Sequence, residues 1–384
     1  MKLIYLSHWR FPSDKTMSPL ILRTCEELSQ SGCDVELWVP RRINSQYPHA
    51  DPFGHYHIKP SFTIKKLPVL DLIEYVPGTM SFMVMIFTFA LSVWWYGKPL
   101  PEDVIWYAHD LRDVLFLRKK NIFLEIHDFY ENKFRIINSA VFQKIRGFVV
   151  TNKIKMQHME KTYGIGFNRM AHLPNAVDLV RFDRKETKEE ARTILALPKD
   201  KRLIVYTGSI FEWKGIYTLA LASQYLLPNA DIIFAGGNNT ERNKFQESIQ
   251  KHNFSHIILL PLPYEDIERA PLLMRAADVL ILPNTAKFEI SRVETSPVKL
   301  FEYMASGTPI VASDLPSIRD VVDETMVNFF EADNPESLAN SIREVLDGQK
   351  AAADRASVAR AEIKQYSWEA RIRSVIQFIN FVVR

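Results

Sequence analysis

The sequence predicts an α/β protein built from two Rossmann-like, doubly wound parallel-sheet domains in tandem. Three observations predict it. Short apolar runs alternate with amphipathic helical stretches through both halves, the βαβα order of parallel sheets covered by helices. At 384 residues the chain exceeds what one hydrophobic core ordinarily fills. A hydrophobic content of 47% with 24% charged residues is that of a globular chain, so the short runs read as buried strands.

In the first half the strands are Leu3–Leu6, Val35–Val39, Val104–Ala108, Ile122–Ile126 and Gly147–Thr151. An amphipathic helix, Leu20–Leu28, follows the first and ends at Ser31-Gly32. In the second half they are Leu203–Thr207, Asp231–Ala235, Ile257–Leu260, Val279–Leu282, Pro309–Ala312 and Val327–Phe330. A last helix, Glu369–Val383, opens after Tyr366-Ser367-Trp368. Cys25 and Cys33 are too few for a disulfide framework and lack partners for a zinc site, which fits free thiols in a reducing cytoplasm. The N-terminus MKLIYLSHWRF reads as a first strand, because its apolar run is too short for a signal peptide.

Net charge is +3, which does not suggest nucleic acid as a partner. Residues 1–180 carry +5 and residues 181–384 carry −2, so the first half is the one suited to an anionic surface. Tyr75–Gly97 holds 23 residues without a charge, long enough to span a bilayer. A span would put strands of one sheet on opposite sides of the membrane. The segment is therefore expected to be an interfacial helix at a membrane surface, flanked by Lys65, Lys66 and Lys98, or a packed crossover helix.

The stretch Glu289–Val322 carries the chemistry. A polar loop bears Glu294; a short helix is expected to open at Thr295-Ser296-Pro297, capped by a hydroxyl, and to run to Ala305. Its first turn offers an anion site at the positive end of the helix dipole, with Lys299 adding a cation. Glu302 is a carboxylate at the edge of the apolar stripe Leu300, Phe301, Met304 and Ala305. Diphosphate on the amides and ribose on the acid is what a nucleotide-sugar needs.

Glu294 and Glu302 are separated by seven residues, and the second opens Glu302-Tyr303-Met304-Ala305-Ser306-Gly307-Thr308-Pro309. This resembles the E-x7-E signature of the retaining glycosyltransferases of family four, which have the GT-B fold: two Rossmann-like domains facing a cleft. The segment Leu173-Pro174-Asn175-Ala176-Val177-Asp178 with Phe182 resembles the family's interdomain segment, Ala176 standing where Gly is usual. The resemblance implies an acceptor-side domain over 1–180, a donor domain over 181–366, and a closing helix, 367–384, packed back on the first.

Ligands of open α/β sheets bind outside the carboxyl ends of strands, where His109-Asp110 and His127-Asp128 stand. His127 matches the family's pocket histidine, which hydrogen-bonds the donor sugar; His109 and Asp110 are acceptor-side candidates. The loop Thr207-Gly208-Ser209 through Lys214-Gly215 resembles the family's phosphate loop, with Lys214 matching the lysine that pairs with the donor diphosphate. Ser209 replaces a usual Arg, so either Lys214 and the helix amides suffice or Arg292 or Lys299 substitutes. The first loop, Ser7–Lys15, lacks the glycines of many relatives, and Gly236-Gly237 is a nucleotide-side turn.

The resemblance implies a metal-independent retaining transferase without a cofactor, using a nucleotide-sugar donor and a glycan or lipid-linked acceptor in surface polysaccharide or glycolipid synthesis at the cytoplasmic face of the membrane. Ser296 with the peptide groups at Pro297 and Val298 would hold the diphosphate together with Lys214, Glu302 the ribose, and Glu294 the sugar. No Asp-x-Asp, P-loop or nucleophile-elbow motif occurs. The alternatives are a GT-B nucleotide-sugar epimerase, which needs no acceptor, and a degenerate GT-B assembly partner at a membrane.

Overall fold

The structure, a computed structural model, describes every residue except 14, 16, 128–134, 227, 253, 255, 264 and 265. Asp128 and Glu265, and Asp14 in the first loop, lie outside the described residues. The chain divides into two compact units, Met1–Pro174 with Trp368–Arg384, and Asn175–Ser367.

The first unit holds seven strands: β1 (Lys2–Leu6), β2 (Asp34–Pro40), β3 (Thr63–Leu67), β4 (Ile105–Ala108), β5 (Ile122–Ile126), β6 (Gly147–Val150) and β7 (Met170–His172). All are parallel, in the order β3-β2-β1-β4-β5-β6-β7. Strand periodicity sorts the core. Leu3 and Tyr5 face one layer; Ile4 and Leu6 face the other. The first layer is filled from α1 (Met17–Gln30) and from α6 (Trp368–Val383), which supplies Ile372, Val375 and Ile379. The second takes Phe89 and Val93 of α2 (Thr79–Gly97) and Met159 of α3 (Lys153–Tyr163).

The edge strands β3 and β7 escape a reading of apolar runs. β3 is Thr-Ile-Lys-Lys-Leu, with both lysines exposed, and β7 has three residues. An edge strand is half solvated and can carry charge.

α2 resolves the uncharged segment. Its apolar composition would suit a span, but Met85, Ile86, Phe89, Ala90 and Val93 pack on the sheet. At Gly97, its last residue, a Cβ would sit 2.8 Å from the Trp106 ring, so the close approach requires glycine.

The second unit holds β8 (Arg202–Thr207), β9 (Ala230–Ala235), β10 (Ile257–Leu260), β11 (Val279–Leu282), β12 (Ile310–Ser313) and β13 (Asn328–Phe330), all parallel, in the order β10-β9-β8-β11-β12-β13. Leu203, Val205, Leu280 and Leu282 face α5 (Val298–Ser306). Ile204, Tyr206, Val279 and Ile281 face α4 (Ile216–Ala222). In each sheet the strand order reverses once, between β1 and β4 and between β8 and β11. Such switch points open a crevice at the strands' carboxyl ends.

Candidate functional site

In the second unit the crevice lies at the ends of β8 and β11. After Thr207 the chain turns at Gly208 with φ +117°, and a Cβ there would lie 2.9 Å from the Lys299 ammonium. Glycine thus leaves room for a cation against the backbone. Gly236, φ +125°, brings the next turn so close that a Cβ would be 2.4 Å from the Gly208 carbonyl oxygen. The Tyr303 hydroxyl, on the buried face of α5, accepts the Thr207 N–H at 2.9 Å and fixes the end of β8.

Two lysines converge here. Lys214 ends a short 3-10 turn, Glu212–Lys214, with its ammonium 3.7 Å from the Trp213 ring centre. Burial lowers its ionisation to about 7. The Lys299 ammonium lies 3.8 Å from the centre of the Tyr206 ring. The rest of Lys299 is half-exposed, but its nitrogen is buried and has no hydrogen-bond partner. Burial first, and the like charge of Lys214 second, push Lys299 well below the usual range, with Glu302 acting in the opposite sense. Neither ammonium makes an ion pair among the described residues. Burial raises Glu302, against the pull of Arg181 and Lys299. Gly208, Lys214, Lys299 and Glu302 thus stand together. Lys299 lies against the loop at Gly208 while Arg292 is exposed, and the Ser209 carbonyl accepts from Tyr206 Oη at 2.7 Å.

Three expectations change. The expected polar loop is a single wide turn, Ile290–Glu294, closed by Thr295 N–H donating to the Ile290 carbonyl five residues back, and half-buried Glu294 ends it. Wide turns of this kind often mark functional positions. Ser296 does not cap α5: the helix starts at Val298 with no side-chain cap, and the Ser296 hydroxyl accepts the Asn175 N–H at 3.3 Å while its carbonyl accepts Asn175 Nδ2 at 2.8 Å. Pro297 carries no N–H, so the N–H groups of the first turn begin at Val298. Asn284, two residues past β11, is a site candidate that the sequence did not single out. It is fully buried and both side-chain amide atoms lack partners. Only its position after a strand end could have pointed to it.

In the first unit, His127 follows β5 with Nε2 2.9 Å from the Glu125 carboxylate, an ion-pair distance without hydrogen-bond alignment. Glu125, buried near the end of β5, also accepts from Tyr107 Oη at 2.6 Å and Arg371 of α6 at 2.6 Å. Burial opposes its ionisation, but Arg371 holds it well below the usual range. His109 is 7% exposed; Nε2 accepts from Trp9 Nε1 at 2.7 Å and Nδ1 has no partner. Asp110 is engaged locally: it caps the turn Leu111–Val114 and binds Arg112 through both oxygens. That use of both oxygens counts against a free acceptor-side role. Burial opposes ionisation of Asp110, yet the Arg112 hydrogen bonds hold its carboxyl at about 2.

Residues 187–362 match the family described as Glycosyl transferases group 1. A teichuronic acid biosynthesis glycosyltransferase of Bacillus subtilis, TuaC, is 29% identical over 171 residues, which covers 44% of this chain and 40% of that protein. The D-inositol 3-phosphate glycosyltransferase of Xylanimonas cellulosilytica is 23% identical over 381 residues, covering 92% of this chain and 88% of that protein. Among solved structures, Anabaena Alr3699/HepE in complex with UDP-glucose superposes with a TM-score of 0.73 at 15% identity, covering 99% of each chain. The fold is GT-B.

Proposed function

We propose, from a second unit that carries a glycosyl transferases group 1 domain, that the chain transfers a hexose from a nucleotide-sugar to a glycan or lipid-linked acceptor, retaining the anomeric configuration and using no metal or cofactor. The observation that carries the reading is the buried, unpartnered Lys299 nitrogen beside Gly208 at the β8 crevice, with Lys214 near it and not ion-paired among the described residues. Two neighbouring lysines without counter-ions, one with its nitrogen buried, are unfavourable until an anion joins them, and a diphosphate supplies the missing charge. The same ammoniums offset the charge that grows on the leaving diphosphate, the task a divalent ion performs elsewhere. Val298 and the first turn of α5 add N–H donors, Glu302 takes the ribose hydroxyls, and Glu294 holds the sugar.

The test is a thermal-shift screen of nucleotide-sugars, with UDP-glucose first because a structural neighbour holds it. A stabilising sugar nucleotide, lost in Lys299→Met, is the expected result. No shift with any would move the chain to the assembly-partner reading.

The same reading places the chain at the cytoplasmic face of a membrane. Met80, Met83, Phe87, Leu91 and Trp95 form one exposed stripe on α2, opposite its packed face. Exposed Lys65, Lys66, Lys98, Arg118 and Lys120 lie near it in the sequence. Apolar stripe with basic flanks suits an anionic lipid surface. Flotation with phosphatidylcholine vesicles, with and without phosphatidylglycerol, checks it: binding is expected to need the anionic lipid, weaken with salt, and fall in Phe87→Asp.

A further inference from the structure

Lys299 sits the wrong way round for a surface lysine. Long basic side chains ordinarily bury the stem and keep the ammonium in water. Lys299 is half-exposed as a residue, yet its nitrogen is buried and has no hydrogen-bond partner. Neither hydration nor a carboxylate holds the charge. The Tyr206 ring does: the ammonium lies 3.8 Å from its centre, within the range of a cation–π contact.

The seat is rigid. Tyr206 is fully buried at the end of β8, its ring is tilted against Phe234 at 5.7 Å, and its hydroxyl donates to the Ser209 carbonyl at 2.7 Å. One side chain therefore pins the loop after β8 with its hydroxyl and carries a cation on its face. Gly208 confines the ammonium from the backbone side, since a Cβ there would lie 2.9 Å from it. Of the charged groups that act on Lys299, Lys214 opposes its charge and Glu302 favours it, and neither is bonded to it.

A carboxylate in place of the ring would hold the ammonium and also cancel it. An aromatic face holds a cation through its quadrupole and adds no charge, so the positive charge stays available to an incoming anion. A lysine already held in place also spares the ordering of a long side chain when the anion arrives, which is otherwise a cost of binding.

We infer that Tyr206 is a positioning residue of the donor site: its ring seats the Lys299 ammonium against Gly208 for a phosphate of a nucleoside diphosphate, and the ammonium stays on the ring when that phosphate binds. The inference rests on the nucleotide-sugar reading. Tyr206 acts through Lys299.

The experiment titrates the full chain with UDP by calorimetry, in the wild type, Tyr206→Phe, Tyr206→Leu, Lys299→Met and the double variant. Tyr206→Leu is expected to weaken UDP about tenfold, of the order of a desolvated cation–π contact. Tyr206→Phe keeps the ring and is expected to lose roughly threefold at most. In the Lys299→Met background Tyr206→Leu is expected to have no further effect, because the ring then has nothing to seat; a general loosening of the fold would weaken UDP in both backgrounds. A second readout does not depend on Tyr206→Leu folding. In wild-type protein labelled with 13C at the lysine ε-carbon, the Lys299 ε-proton signal, assigned through Lys299→Met, is expected upfield of the exposed lysines because of the ring current, and to remain there on addition of UDP. A Lys299 signal among those of the exposed lysines, or one that moves there as UDP binds, overturns the inference and leaves the donor-site reading standing. So does a Tyr206→Leu variant that binds UDP like the wild type, or one whose loss is the same with and without Lys299. If UDP binds neither the wild type nor any variant, the donor-site reading falls and this inference falls with it.

Discussion

In the first unit Glu125 is buried near the end of β5 and is answered at 2.6 Å by Arg371 and at 2.6 Å by Tyr107. In the second, the Lys299 nitrogen is buried without a partner, and neither it nor neighbouring Lys214 has a carboxylate in ion-pair contact among the described residues. The difference separates charge that serves the fold from charge held for a ligand. Removing one partner of a compensated pair strands the other in a medium that solvates it poorly. Removing one of two uncompensated like charges relieves the protein and deprives only the ligand.

That contrast can be broken most directly at Arg371. Arg371→Met is expected to cost about 3–5 kcal/mol, read by urea unfolding, because Glu125 loses its counter-ion. Adding Glu125→Gln should recover much of the loss; a cost under ~1 kcal/mol would mean that the buried pair is not structural. Lys299→Met carries the opposite expectation. Ligand-free Tm is expected to hold or rise, while affinity for UDP falls by roughly 10–100-fold, the worth of one charge-assisted hydrogen bond. A drop in Tm would place Lys299 with the structural charges.

A smaller effect sharpens the ribose assignment. Glu302→Gln is expected to weaken UDP by about tenfold, and to leave unchanged the affinity of a nucleotide lacking the ribose hydroxyls. Equal losses for both would remove Glu302 from that role.

The smallest effect is a slope. A lysine that ionises near 10.5 when unfolded and about 7 when folded makes the ligand-free fold gain stability as pH rises from 7 to 10.5. Donor binding needs the charged form, so affinity is expected to be level below pH 7 and to fall above it, by at most about tenfold per pH unit. Lys214→Met should flatten the fall, measured by calorimetry.

Much of the architecture was legible because strand patterns are local. Eleven expected strands lie on observed ones, while β3 was hidden by Lys65 and Lys66 and β7 by its three residues. In the site, the helix bearing Glu302 was legible from its pattern, and the loop through Lys214 only from the family resemblance. Ser296 misled: Ser before Pro reads as a cap, but Asn175, 121 residues away, takes its hydroxyl and carbonyl.

By itself the sequence determined two parallel α/β sheets and the spacing of Glu294 to helix-borne Glu302, since each depends on neighbours within a few turns of chain; Lys214 came only through the family resemblance. Tertiary structure decided what no spacing encodes. Lys299 lies against the turn because Gly208 leaves it room, Asn284 is fully buried with no side-chain partner, and His8 meets Asp113 across 105 residues of chain. Burial sets the ionisation of each, and burial is a property of the packed fold.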